Sequence, residues 1–161
     1  HSGCVASVCW PEDADVFTGS WDRSVRKWDA ESGKCTQTFN TSKAVYSVHT
    51  TPNNACVALS GAEKAVRLWD PRLKESTSAA AVLLSHSSWV SCVRWVPENP
   101  HHLWSASHDS QVKLWDIRGK VPLHTVTAHT DKVLCVDTHA QKHVVSGGAD
   151  CNLHWHSMDL S

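Results

Sequence analysis

The sequence predicts an all-β protein, four consecutive blades of a β-propeller, and three observations carry that prediction. A unit recurs: residues 86–116 read HSSWVSCVRWVPENPHHLWSASHDSQVKLWD, an opening histidine, three short apolar runs and a closing Trp-Asp. The closing position returns at Trp28, Trp69, Trp115 and His156, at intervals of 41, 46 and 41 residues, close to the roughly 40–45 residues of a four-stranded propeller blade. An acid stands six residues before each closing position: Asp22, Glu63, Asp109 and Asp150. Within each unit the apolar residues alternate, the period-2 mark of half-buried strands.

The first unit, residues 1–40, opens on His1 and offers strands at Val5 to Trp10, Val16 to Gly19, Val25 to Trp28 and, outermost, Cys35 to Phe39. The second, 41–85, has Ser42 or Lys43 where the histidine should stand. Its strands are Val45 to His49, Cys56 to Leu59 and Val66 to Trp69; a link from Pro71 to Ser78 then leads to an outer strand at Ala80 to Leu84. The third, 86–128, has Val90 to Val96, Leu103 to Ala106 and Val112 to Trp115, with Leu123 to Thr127 outside. The fourth, 129–161, opens on His129 and has Val133 to Asp137, Val144 to Ser146 and Leu153 to His156, with no outer strand expected. Runs of this length joined by short turns pair as antiparallel meanders. The expectation is a fragment of a larger, seven-bladed ring with blades missing upstream, since four blades are fewer than usual for such repeats.

Composition narrows the function classes. The net charge of −1 gives no basic excess, which argues against a dedicated non-specific nucleic-acid binder; direct nucleic-acid contact is left open. No segment approaches the roughly 20 apolar residues of a membrane span, and the first residues lack a signal-peptide pattern, so no membrane partner is expected. Seven cysteines include no CxxC pair. Cys9, Cys56, Cys92 and Cys135 lie in apolar runs, where a reduced thiol serves as a small hydrophobe, so a reducing compartment is expected.

His86, Ser105 and Asp109, or His129, Ser146 and Asp150, have the residue types of a hydrolase triad. Their repetition with an aromatic residue at a fixed offset points elsewhere, because catalysis needs one exposed nucleophile in a pocket. The units resemble WD repeats, and the resemblance implies a structural use of the set: the closing indole bonds the hydroxyl, the hydroxyl bonds the histidine and the histidine bonds the turn acid. By this register the first unit carries His1, Thr18, Asp22 and Trp28. The third carries His86, Ser105, Asp109 and Trp115. The second keeps only Glu63 and Trp69, with Leu59 in place of the hydroxyl. The fourth has His129, Ser146 and Asp150 but closes on His156. No enzyme is expected.

Twelve histidines require a metal to be considered. His154 and His156 alternate on one strand, and His101-His102 fall in a loop. Two ligands are too few for a zinc site, so these read as ordinary strand and loop residues, with neither metal nor cofactor expected. Gly147-Gly148 lacks the following lysine and helix of a phosphate loop and reads as a tight-turn pair. Trp69-Asp70-Pro71-Arg72 and Trp115-Asp116-Ile117-Arg118 resemble the box by which some propellers dock on the adaptor of a cullin-type ubiquitin ligase. Arg72 and Arg118 would dock there, or simply pair with the neighbouring acids.

Strand direction also predicts a shared face. The residue before each turn acid (Trp21, Ala62, His108, Ala149) and the third residue after each blade histidine (Cys4, Trp89, Lys132), with Ala44 at the matching place in the second blade, fall at the same end of the blades. Trp21, Trp89 and His108 are expected to cluster at the rim of the central channel across neighbouring blades, and with Lys132 are the expected partner-binding side chains, two tryptophans with polar neighbours being a hot-spot composition.

The stretches TGSWDRSVRKWDAESGKC, AVRLWDPRLKES, HSSWVSCVRWVPENPHHL, SQVKLWDIRGKVPLHTVTAHTDKVLCVD and VVSGGADCNLHW resemble, across the whole chain, the last blades of the WD-repeat subunit family of the PeBoW complex. The resemblance implies a non-enzymatic scaffold of the nucleolus and nucleoplasm. Its partners would be pescadillo-type and block-of-proliferation-type proteins and the precursor of the large ribosomal subunit, whose rRNA processing it would serve. The family's ubiquitin-like N-terminal domain, which meets the midasin ATPase, lies outside this sequence, and His108 and His154-Trp155-His156 depart from its usual pattern. The alternatives are a substrate receptor of a cullin-type ligase and a signalling adaptor of the G-protein β type.

Overall fold

The computed structural model describes residues 1–11, 14–51, 55–73, 80–97, 99–139 and 143–157. These form strands in four antiparallel sheets and, among the described residues, no helix. The first sheet has the order β1 (Val5–Cys9), β2 (Asp15–Ser20), β3 (Ser24–Asp29), β4 (Cys35–Asn40). The second is β5 (Val45–Thr50), β6 (Val57–Gly61), β7 (Ala65–Trp69), β8 (Ala81–Leu84). The third is β9 (Val90–Trp95), β10 (His102–Ser107), β11 (Val112–Asp116), β12 (Pro122–Val126). The fourth has three described strands, β13 (Val133–His139), β14 (His143–Gly148) and β15 (Leu153–Ser157).

Several strands extend a residue or two past the apolar runs, because the hydrogen-bond ladder outlasts burial. Asp15 pairs with Asp29 beyond the last core positions, and His102, expected in a loop, pairs with Asp116 as the first residue of β10. Cys56, by contrast, precedes β6. Pro122 opens β12, an outer position where the missing N–H costs the ladder nothing. Much of the link expected from Pro71 to Ser78 lies outside the described residues.

The tight turns share one backbone device. Arg23, Ser110 and Cys151, each following a turn aspartate, sit at φ of 68°, 67° and 64°. The aspartate carboxylate receives the N–H of the residue beyond: Ser24 at 3.0 Å, Gln111 at 3.1 Å and Asn152 at 3.1 Å. That local bond offsets the left-handed conformation. Glu63, one methylene longer, instead makes a bidentate pair with Arg67 at 2.7 Å. Gly61 is required beside it, since a Cβ there would run into the Ala44 carbonyl.

The sheets stack face to face, and three apolar layers hold them. Phe17, Val25 and Phe39 of the first meet Val45, Val48, Leu59 and Trp69 of the second; Trp69 stacks on Phe39 at 5.5 Å and takes Phe17 edge-on at 6.2 Å. Val66, Leu68 and Leu83 meet Val93, Leu103 and Trp115 in the next layer. Trp104, Val112 and Leu114 meet Val133, Val136 and Val144 in the third. Each such side chain contributes about 1.5–3 kcal/mol when fully buried.

Candidate functional site

Polar bonds between successive inner strands fix how the blades meet. The Ser7 hydroxyl receives the Val48 N–H at 3.1 Å, and the Ser47 hydroxyl, one blade on, receives the Val93 N–H at 3.3 Å. Cys92, next in the series, donates its thiol to the Val136 carbonyl at 3.6 Å. Ser91 adds a bond to the Val133 carbonyl at 2.6 Å. These bonds belong to residues that look like filler in the sequence. Their signal was a small polar side chain recurring at the same inner-strand position.

Within the blades the hydrogen-bond chains are explicit. Trp28 Nε1–H donates to Thr18 Oγ1 at 2.8 Å, His1 Nε2 lies 2.6 Å from the same oxygen, and His1 Nδ1 lies 2.8 Å from Asp22. In the third blade Trp115, Ser105, His86 and Asp109 are joined by three contacts of 2.8 Å. The Ser87 N–H adds a bond to Asp109 at 2.9 Å. Burial raises the Asp109 pKa, but the His86 contact and these N–H donors outweigh it and hold the carboxyl down at about 2. Ser105 is fully buried and its oxygen already takes an indole proton, so it offers a substrate no path. In the fourth blade His129 bonds Ser146 at 2.9 Å and Asp150 at 3.0 Å, while His156 occupies the closing position.

At the turn-acid end the backbone joins the predicted face pair by pair. The N–H groups of Trp21, Ala62, His108 and Ala149 donate to the carbonyls of Cys4, Ala44, Trp89 and Lys132 at 2.8–2.9 Å. Trp89, about half exposed, lies 5.9 Å from the His108 ring and 6.3 Å from Tyr46 on the preceding blade. Burial lowers the His108 pKa, and the positive charge of Lys132 pushes it the same way, so those two side chains feel each other across the third and fourth blades. Trp21 is exposed on the first blade and, among the described residues, shares no ring contact with this group. Tyr46 was missed; its signal was being the chain's single tyrosine, next to Ala44 and Val45 at the start of an inner strand.

The opposite face carries a cavity of about 250 Å³ lined by Trp10, Pro11, His49, Trp95 and Pro97. His49 Nδ1 accepts the Trp95 N–H at 3.1 Å, and burial, aided by Arg94, pulls its pKa down to about 4. Arg72 and Arg118 lie in the turns after the closing Trp-Asp, both exposed. Their guanidinium groups are held by Asp70 and Asp116, at 2.7–2.9 Å for Arg72.

Antiparallel blades pinned by indole–hydroxyl–imidazole–carboxylate chains, with aromatic rings at one rim, define a WD-repeat β-propeller. The chain belongs to the family described as Nucleolar protein 10-like, N-terminal domain, a β-propeller, which matches residues 4–158. It is 43% identical over 99% of its length to a protein of Chlamydomonas reinhardtii named Ribosome biogenesis protein WDR12 homolog. Proteins with the same name from Nematostella vectensis and Arabidopsis thaliana are each 42% identical over 95% of the chain. The chain spans 38%, 37% and 36% of these relatives' lengths.

Proposed function

We propose that this chain is the C-terminal blade set of a propeller that acts, without catalysis, as a protein-binding scaffold in assembly of the large ribosomal subunit. The observation that carries the reading is its 43% identity, over nearly all its length, to a protein named for ribosome biogenesis. The expected partners are pescadillo-type and block-of-proliferation-type proteins on the pre-ribosomal particle, in the nucleolus and nucleoplasm. Trp21, Tyr46, Trp89, His108 and Lys132 present the binding face. The buried hydrogen-bond chains hold that face rigid, so little ordering cost falls on binding.

The first blade supports further blades upstream. Val8 is 62% exposed, whereas the equivalent Val48, Val93 and Val136, each covered by the preceding blade, are 1%, 0% and 2% exposed. A seven-bladed ring would cover Val8 in the same way. The pairing of Arg72 and Arg118 with their own aspartates leaves the ligase-receptor alternative without a specific observation. Affinity purification decides: co-purification with pescadillo-type protein and large-subunit precursor RNA is expected. Recovery of a cullin-ligase adaptor, lost on Arg72→Ala with Arg118→Ala, would overturn the reading.

A further inference from the structure

The fourth blade breaks the pattern of the other three at two neighbouring positions. Four residues after the turn acid the first three blades place a fixed cation: Arg26, 3.9 Å from Asp22; Arg67, paired with Glu63 at 2.7 Å; and Lys113, bonded to Thr125 at 3.2 Å. The fourth blade has His154 there. At the closing position, where Trp28 and Trp115 donate an indole N–H to the hydroxyl, it has His156.

The two changes leave buried nitrogens without partners. His154 Nε2 and His156 Nε2 are both buried with no hydrogen-bond partner, and the two rings stack at 6.1 Å. The His154 ring meets His129 edge-on, with centroids 4.5 Å apart. One ligand atom from each of His129, Asp150 and His154 lies within 4.8 Å of the other two. In a tetrahedral site with bonds of about 2.0–2.2 Å such atoms stand roughly 3.3 Å apart, so small side-chain rotations close the set.

The lost indole also frees a tautomer. In the first and third blades the hydroxyl oxygen takes the indole proton on one lone pair and can donate its own proton to histidine Nε2, an arrangement that goes with an imidazole proton on Nδ1, facing the aspartate. Ser146 receives no indole proton, so it can accept Nε2–H from His129. That leaves a lone pair on Nδ1, 3.0 Å from the Asp150 carboxylate. Between Nδ1 and the carboxylate a metal ion can take the place of the Nδ1 proton, and a metal-bound histidine that donates its other ring N–H to an oxygen is the usual supporting arrangement.

We propose that His129 Nδ1, the Asp150 carboxylate and His154 bind one divalent transition-metal ion of the zinc class, with His156 or water as the fourth ligand. Two imidazoles and a carboxylate are a donor set for such borderline ions. The ion supplies the positive charge that Arg26 and Arg67 bring to their own turn acids. In doing so it ties β15 to the blade's opening loop in place of the indole bond. Spacing could not show the site, because its ligands come from a loop, a turn and a strand that only the fold brings together.

The test is titration of the EDTA-stripped chain with Zn²⁺ by calorimetry and with Co²⁺ by its ligand-field absorption. One ion per chain is expected, with a Zn²⁺-dependent rise in melting temperature. His154→Lys restores the cation of the other blades and should weaken binding at least about tenfold. His156→Trp restores the indole donor to Ser146, removes the His156 imidazole from the set and should weaken binding similarly. If His154→Lys fails to fold, the His156→Trp chain carries the test. His101→Ala, in the exposed turn before β10, should leave affinity unchanged. Absence of stoichiometric binding, full binding by both blade-four variants, or loss in the His101→Ala variant instead would overturn the proposal.

Discussion

At the scale of single residues, stability rests on polar groups that only burial makes expensive. Trp115→Phe keeps a ring in the second apolar layer but leaves Ser105 Oγ without its indole donor. A loss of about 1–3 kcal/mol follows, read by urea or thermal denaturation; unchanged stability would mean the bond contributes nothing. His49 gives a pH signature. Its pKa is held at about 4 in the folded chain by burial, against an ordinary value of about 6.5 in the unfolded one. The unfolded state therefore takes up the proton first, and stability falls as pH drops from about 6.5 to about 4. His49→Gln should flatten that limb in a melting series. The same slope in the variant would show that another group is responsible.

At the scale of the strand and blade, hydrogen bonds between successive inner strands join one blade to the next. Ser47→Ala leaves the buried Val93 N–H without its acceptor and should cost about 1–3 kcal/mol. Ser7→Ala, at a half-exposed position where water can substitute, should cost less. Equal losses in denaturant titrations would contradict this. The strands themselves were legible in the sequence, because alternation and a closing tryptophan report one-sided burial directly. Their ends were not, since ladder pairs such as Asp15–Asp29 carry no apolar signal. The inter-blade bonds of Ser7, Ser47 and Cys92 showed only through their recurrence at one position, because a single serine or cysteine in a strand reads the same whether it fills space or crosses to a neighbour. The backbone pairing of Trp21 with Cys4 and His108 with Trp89 follows from strand direction alone. Which rings then meet, Trp89 with Tyr46 rather than with Trp21, depends on blade stacking and not on any one strand.

At the scale of the whole molecule, the exposed apolar residues of the first and fourth blades dominate behaviour in isolation. Val8 and Trp10 at one side and Leu134 and Trp155 at the other are each at least half exposed, an association hazard for an uncovered blade. Sedimentation should show concentration-dependent self-association of the chain, relieved by Val8→Glu with Trp155→Glu; a monomer at every concentration would mean these faces do not attract. The central claim is that the rigid blades exist to present the turn-acid face to a protein partner. One hot-spot aromatic there is worth about 2 kcal/mol or more, roughly thirtyfold in affinity. The most direct measurement is co-purification of the partner with Trp21→Ala/Trp89→Ala bait, read alongside its melting temperature. Partner recovery should collapse while the melting temperature stays nearly unchanged; undiminished recovery, or loss that comes only with unfolding, would contradict the account.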